Sequence, residues 1–235
     1  MSASVLRAAA EAKIGAPHAA SVEALPPGDT VPRSLRERLA WDPAQGRVCD
    51  GPRRYLLMRP DVLMGAVVAM APPARRSFMS ALAASTRDHG ADSLRAYAQM
   101  VQGDRQALID ATAAAAADLG WGCWSIRFQD GSLQLEVLDS PFAAGWLAAS
   151  DGRASDEPVC APIRGMLQAL AEVVLEGPVE VQEANCAAAQ VQEQLQIHAP
   201  GAHPADLTLT ADAVGLQAHG AVCTCCFTAR PRSAV

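Results

Sequence analysis

Residues 121–138, WGCWSIRFQDGSLQLEVL, decide the fold of this chain. Apolar and polar side chains alternate on either side of the Asp-Gly pair at 130–131, and this period of two is typical of half-buried strands. An Asp-Gly pair between two such runs is a strong signal for a tight hairpin turn. The stretch therefore predicts an antiparallel hairpin whose second strand places Leu133, Leu135 and Val137 on one face.

A second hairpin is predicted further along the chain. Residues 159–175 have the pattern of a helix, which the Gly-Pro pair at 177–178 ends. Two strand-like runs follow, at 179–183 and at 191–198. Two hairpins joined by a helix predict a four-stranded antiparallel sheet with helices packed on one face, which is an α+β fold.

The segment upstream of the first hairpin is predicted to be mainly helical. Its clearest helix covers residues 105–119, with Asp104 as the N-cap and a run of five alanines that favours helix. A His-Gly pair at 89–90 predicts that one helix ends there and another begins. The other predicted elements are helices at 3–14, 34–40, 62–70 (capped by Asp61), 74–88 and 92–100, a brief strand at 55–58, and a loop over 139–158.

The composition argues against several classes of protein. Hydrophobic residues make up 50% and charged residues 19% of the 235 positions, which suits a globular protein. The net charge of −6 argues against a nucleic-acid binder, and no run of roughly 18 apolar residues predicts a membrane span. Charges near the N-terminus leave no core for a signal peptide, and the seven cysteines are unevenly spaced. We therefore predict a cytoplasmic protein.

Four short motifs carry a resemblance to a known family. In chain order they are LGWG at 119–122, DSP at 139–141, PVC at 158–160 and EANC at 183–186. In this order and spacing, the chain from 120 to about 198 resembles the 4-vinyl reductase domain. That family includes small tetrapyrrole-pathway proteins and the sensor domains of aromatic-responsive transcription activators. We therefore predict an N-terminal arm at 1–52, a ligand-binding domain at 53–200 that resembles this family, and a cysteine-containing tail at 201–235.

The resemblance also implies most of a zinc site. The family's ligands follow the spacing Cys, Glu 23 residues later, Cys three further on and a last Cys eight beyond. Cys160, Glu183 and Cys186 match the first three positions, but Gln194 stands at the fourth. Because a structural zinc site is closed by four ligands, the fourth ligand must come from elsewhere or be water.

The tail offers a source for the missing ligand. Its sequence GAVCTCC at 220–226 repeats the glycine-to-cysteine spacing that residues 186–194 lack, so we predict that the tail folds back and donates Cys223 or Cys225. Other interpretations stay open. The cysteines at 160 and 186 could be small buried hydrophobic residues, and the tail cysteines could bind Cu(I) or zinc separately, or be redox-active in a frayed tail.

An apolar ligand pocket is the second feature that the resemblance implies. In the aromatic-responsive relatives, a His before the first strand and a Trp near the end of the second hold a phenol hydroxyl. Ala116 and Val137 stand at the matching positions, so both polar groups are absent here. A cavity without them would favour a larger and more apolar ligand. The residues predicted to line it are Ala116, Trp121, Trp124, Val137, Phe142 and Trp146, although the rings could equally fill an ordinary core.

These observations predict a binding protein more readily than an enzyme. The chain has neither a dinucleotide-binding glycine motif after a strand nor a phosphate-binding loop. We therefore expect a homodimeric small-molecule sensor, with zinc as its cofactor and a separate protein partner for signalling. An enzyme or carrier of bacteriochlorophyll-type tetrapyrrole metabolism and a scaffolding subunit remain the alternatives.

Overall fold

The structure is a computed structural model, and it describes residues 34–189 and 224–232. In chain order its elements are α1 (Leu35–Arg38), β1 (Ala40–Asp42), β2 (Arg47–Asp50), β3 (Arg53–Tyr55), α2 (Pro60–Val68), α3 (Pro72–Met100), α4 (Arg105–Asp118), β4 (Cys123–Gln129), β5 (Ser132–Leu138), α5 (Pro141–Ala149), α6 (Ala161–Val174), β6 (Val179–Asn185) and β7 (Thr224–Pro231). None of the described helices combines the length and the apolarity needed to cross a bilayer.

The predicted first hairpin is confirmed. Strands β4 and β5 pair antiparallel across the turn, which places Asp130 and Gly131 at positive φ, as a tight hairpin turn requires. Along β5, Leu133, Leu135 and Val137 are buried, and the residues between them are exposed. The alternation in the sequence therefore fixed which face of this strand enters the core.

Strand β7 lies in the interior of the four-stranded sheet, whose order is β4-β5-β7-β6. It pairs antiparallel with β5 on one side and with β6 on the other. The predicted strand at 191–198 lies outside the described residues, so the strand that completes the sheet beside β6 comes from the predicted tail. The predicted α+β fold with a four-stranded antiparallel sheet is confirmed.

One long helix replaces two predicted helices. The structure has α3 running unbroken from Pro72 to Met100, so the prediction of a stop at residues 89–90 was wrong. Gly90 lies inside the helix, where a Cβ would come within 2.9 Å of the sulfur of Met166 in α6. The glycine therefore serves close helix packing rather than helix termination.

Helix α5 was missed, because residues 139–158 were predicted to be a loop. Ser140 caps this helix by accepting a hydrogen bond from the backbone N–H of Ala143. Gly145 lets α5 lie directly against α2, since a Cβ there would come within 2.8 Å of the backbone of Pro60. Five of the nine residues of α5 are alanine or glycine, which gave no amphipathic signal.

Two boundaries near residue 60 also differ from the prediction. Helix α2 begins at Pro60 with Arg59 at the N-cap, so Asp61 lies inside the helix instead of capping it. The strand predicted at 55–58 is β3, which ends at Tyr55 and belongs to a small antiparallel sheet of order β1-β2-β3. The apolar residues that follow, Leu56, Leu57 and Met58, are exposed.

The main core lies between the four-stranded sheet and the helices packed on it. Helix α6 contacts both β6 and β7, α4 contacts β4, and α3 packs along α6. The side chains of Ile163, Leu167 and Leu170 from α6 are fully buried, as is Phe227 from β7. Burial on this face and exposure on the other give the sheet the one-sided pattern that the sequence predicted.

Candidate metal centre and ligand cleft

Four potential metal ligands meet where α6, β6 and β7 come together. Cys160 is the N-cap residue of α6, Glu183 lies on β6, Cys186 follows β6 directly, and Cys225 lies on β7. One ligand atom from each residue lies within 4.8 Å of all the others. The sulfurs of Cys160 and Cys225 are 3.6 Å apart.

Local structure explains why these side chains point to one place. On β7, Cys225 falls on the same buried face as Phe227 and Ala229. On β6, a bulge between Glu183 and Asn185 interrupts the regular pairing just before Cys186. The chain therefore departs from regular strand pairing between Glu183 and Cys186, and both side chains reach the cluster.

Neighbouring polar groups hold the sulfur atoms in place. The hydroxyl of Ser140 lies 3.1 Å from the sulfur of Cys160, and the backbone N–H of Ala187 donates to the sulfur of Cys225 over 3.3 Å. The three cysteines of the cluster are almost completely buried. Contacts of this kind fix the direction of a ligand and tune its basicity.

The pKa values of the four side chains reflect the crowding of acidic groups in a buried site. Burial and the nearby Cys186 raise the pKa of Glu183 to about 9. Hydrogen bonds with the thiols of Cys160 and Cys186 lower the pKa of Cys225 to about 4. Hydrogen bonds with Cys186 and then Cys225, together with burial, raise the pKa of Cys160. Without a cation, only one of these groups ionises readily, because neighbouring negative charges in a dry site repel one another.

The residues fit a zinc ion. Oxygen Oε1 of Glu183 is buried and finds no hydrogen-bond partner in the described part of the chain, so it is an acceptor without a donor or a cation. In a tetrahedral site with Zn–S bonds of about 2.3 Å, two sulfurs lie about 3.8 Å apart, close to the observed 3.6 Å between Cys160 and Cys225. Three sulfurs and one carboxylate also match the ligand types that zinc prefers.

The structure brings together Cys160, Glu183 and Cys186, as the resemblance implied, and adds Cys225 from the predicted tail. Cys223, the other proposed donor, lies outside the described residues, as does Gln194. Successive residues of a strand point to opposite faces, so Cys226 points away from the cluster that Cys225 faces.

A cleft of about 500 Å³ lies between α3, α4, β3 and the start of β4. Three of the six predicted pocket residues line it: Ala116, Trp121 and Trp124. The rings of Trp121 and Trp124 are half-buried, with centroids 6.5 Å apart, and the indole N–H of Trp124 donates to the backbone carbonyl of Trp121. The rings of Trp121 and Trp124 therefore form one fixed side of the cleft, which we call the aromatic wall.

The other three predicted pocket residues belong to the buried core and are not among the residues that line the cleft. Val137 is fully buried on β5. Phe142 packs edge-on against the ring of Trp121, with centroids 5.6 Å apart. Trp146 lies under the guanidinium of Arg75, and its indole N–H donates to the backbone carbonyl of Arg153.

The polar side of the cleft was not predicted. Arg53 and Arg54 of β3 line it, together with Thr86 and His89 of α3. Dividing α3 at residues 89–90 in the prediction hid the fact that these side chains share one continuous helix. The arginines gave no sequence signal, because only pairing in the small β1-β2-β3 sheet brings them to the cleft.

Comparison with known proteins identifies the fold. No protein-family model and no curated protein matches the chain. A solved structure does match: the phenol-responsive sensory domain of the transcription activator PoxR, determined with phenol. The two chains share 14% sequence identity with a TM-score of 0.57, over 84% of this chain and 86% of the sensory domain. At this identity the match establishes a common fold, that of a sensory domain.

Proposed function

We propose that this chain is a sensor-type protein that binds a small molecule with an apolar body in the cleft. The observation that carries the proposal is the cleft itself, whose aromatic wall of Trp121 and Trp124 is presented by the fold of a sensory domain. A concave site with apolar walls and a few polar groups is the usual form of a small-molecule site. The PoxR domain with this fold is described as phenol-responsive.

The ligand we propose differs from phenol. Ala116 lines the cleft at the position where the aromatic-responsive relatives have a His, and Val137 replaces their Trp in the core. Neither side chain can hydrogen-bond a hydroxyl group. In this proposal Trp121 and Trp124 contact the ligand, and Phe142 packs against Trp121, while Val137 and Trp146 belong to the core.

A zinc ion would complete the protein's structure rather than take part in a reaction. Cys160, Glu183, Cys186 and Cys225 would supply all four ligands, which leaves no open position for a substrate. The ion would connect the start of α6 to β6 and β7 and so hold the last strand in the sheet. Zinc bound in this way stabilises a fold and supplies no catalytic step.

The remaining features of the proposal follow the family resemblance. We assign the chain to the 4-vinyl reductase family as a cytoplasmic homodimer, with its ligand-binding domain at residues 53–200. In this proposal the response to a ligand passes to a separate protein partner. The family assignment rests on the four sequence motifs, and the cytoplasmic location rests on the composition and the cysteine spacing.

A direct test is to identify what the purified full-length protein carries. We expect native mass spectrometry to detect a bound organic molecule, and we expect the fluorescence of Trp121 and Trp124 to change when naphthalene, a neutral aromatic probe without a hydroxyl group, is titrated. Substituting Ala116→Trp would fill the cleft and abolish the change in fluorescence, whereas Ala144→Trp at an exposed position of α5 would not.

Visible absorbance from a macrocycle would favour the tetrapyrrole alternative. No change with any aromatic probe would refute ligand binding in the cleft.

A further inference from the structure

The cleft combines its aromatic wall with an uncompensated positive charge. Arg53 and Arg54 both line it, and neither forms an ion pair within the described part of the chain. Arg53 is half-buried, and its Nη2 donates to the backbone carbonyl of Asp92 over 3.2 Å. Arg54 is exposed, and its Nη2 donates to the backbone carbonyl of Gly46 over 3.4 Å. Each guanidinium has five N–H donors, so each retains donors for a ligand.

One acid also lines the cleft, but its charge is already balanced. The carboxylate of Asp92 forms an ion pair with Arg95, one turn further along α3. His89 is the remaining titratable side chain on this side, besides Tyr55 and Tyr97. The cleft is therefore locally cationic in a chain whose net charge is −6. Such a local reversal of sign attracts anions that the rest of the surface repels.

We infer that the ligand of the cleft is a carboxylate with an apolar ring. The ring would pack on the aromatic wall, and the carboxylate would bind Arg53 and Arg54. This inference rests on the proposed function and names its ligand class. Guanidinium groups bind carboxylates through paired, charge-assisted hydrogen bonds, and these bonds are stronger than those between neutral groups. The side chain of Arg53, which the Asp92 carbonyl holds in place, is the main determinant, and Arg54 adds long-range attraction.

The inference also accounts for the residues that phenol binding would require and that this chain lacks. A phenol needs a partner for one hydroxyl group, and Ala116 and Val137 offer none. A carboxylate needs a cation instead, and β3 provides two at the mouth of the cleft.

The test compares two probes of the same shape that differ in charge. We expect 2-naphthoate to bind the full-length protein at least about 10-fold more tightly than 2-naphthamide, with the difference shrinking as salt is added. In Arg53→Gln the naphthoate affinity should fall about 10-fold and approach that of the amide. The amide affinity should not change, which shows that the cleft is still folded.

Two further variants keep the result interpretable. Arg47→Gln removes the same charge from an exposed position on β2 outside the cleft, so it should leave both affinities unchanged. If Arg53→Gln fails to fold, the exposed Arg54→Gln should still weaken naphthoate binding and its salt dependence. Equal binding of both probes, or a preference that survives loss of both arginines, would overturn the inference and leave the proposed function intact. Binding of neither probe would overturn both.

Discussion

At the scale of single residues, the protonation states of Glu183 and Cys225 in the metal-free cluster are the reverse of the usual ones. The pKa of Glu183 is about 9 and that of Cys225 about 4, so at neutral pH the acid is protonated and the thiol is ionised. The thiols of Cys160 and Cys186 also have raised pKa values. A zinc ion that binds all four groups would therefore displace three protons, and its affinity would fall with decreasing pH.

We expect Cys225→Ser to weaken zinc binding by at least about 100-fold, since loss of a ligand should exceed the 10–100-fold effect of losing a supporting contact. The neighbouring Cys226 is the matched control, because it lies on the opposite face of β7 and outside the cluster. Competition with a chromogenic chelator measures both affinities. A Cys226→Ser variant that loses as much affinity as Cys225→Ser would contradict the assignment of the ligands.

At the scale of elements, small residues set the distance between helices. Gly165 brings α6 against α3 so closely that a Cβ would collide with the backbone carbonyl of Ala83. Gly90 makes the reverse contact from α3, but its neighbour is the end of the flexible Met166 side chain. Two glycines in the same interface therefore tolerate a methyl group to different degrees, since only the side chain can move aside.

This difference gives a prediction for stability. We expect Gly165→Ala to lower the free energy of unfolding by about 2 kcal/mol, because overpacking costs about 1–3 kcal/mol and the backbone cannot shift freely. Gly90→Ala should change it by less than about 1 kcal/mol, since the higher helix propensity of alanine offsets the movement of Met166. Urea denaturation of both variants measures the effect. Equal losses would show that the two contacts are equally rigid.

At the scale of the whole molecule, the sequence predicted what is local and missed what is distant. Asp104 and the Asp-Gly turn act within a few residues, so the start of α4 and the β4-β5 hairpin were predicted correctly. The continuity of α3 was missed because the reason for Gly90 lies on α6. The place of β7 was missed for the same reason, since both of its partners are far away in the chain.

The candidate site likewise contains some residues that were predicted from the sequence and others that were not. The resemblance to the 4-vinyl reductase family implied Cys160, Glu183 and Cys186 as ligands, because their spacing along the chain matches that of the family. The resemblance left the fourth zinc ligand open, and the glycine-to-cysteine spacing of the tail suggested Cys223 or Cys225. The choice of Cys225 depends on the register of β7 against β5, and the arginines of the cleft depend on how β3 is placed.

Metal removal should affect the β6-β7 side of the four-stranded sheet most strongly. We expect a strong chelator to lower the melting temperature of the full-length protein and to speed hydrogen exchange in β7 and β6 together, because the zinc ligands join these strands to α6. The amides of β4, which is remote from the cluster, should lose less protection. An unchanged melting temperature in protein shown by elemental analysis to have lost its zinc would contradict a structural role.

The inner position of β7 also constrains how the protein is made. The ribosome completes β5 and β6 well before Thr224–Pro231 leaves the exit tunnel, so for that interval both strands have open hydrogen-bonding edges. Closing the gap requires a late segment to insert between two earlier ones, which is a slow, long-range step. A nascent chain of this kind is exposed to misassembly until its final strand is in place, and chaperones and metal supply would decide its yield in the cell.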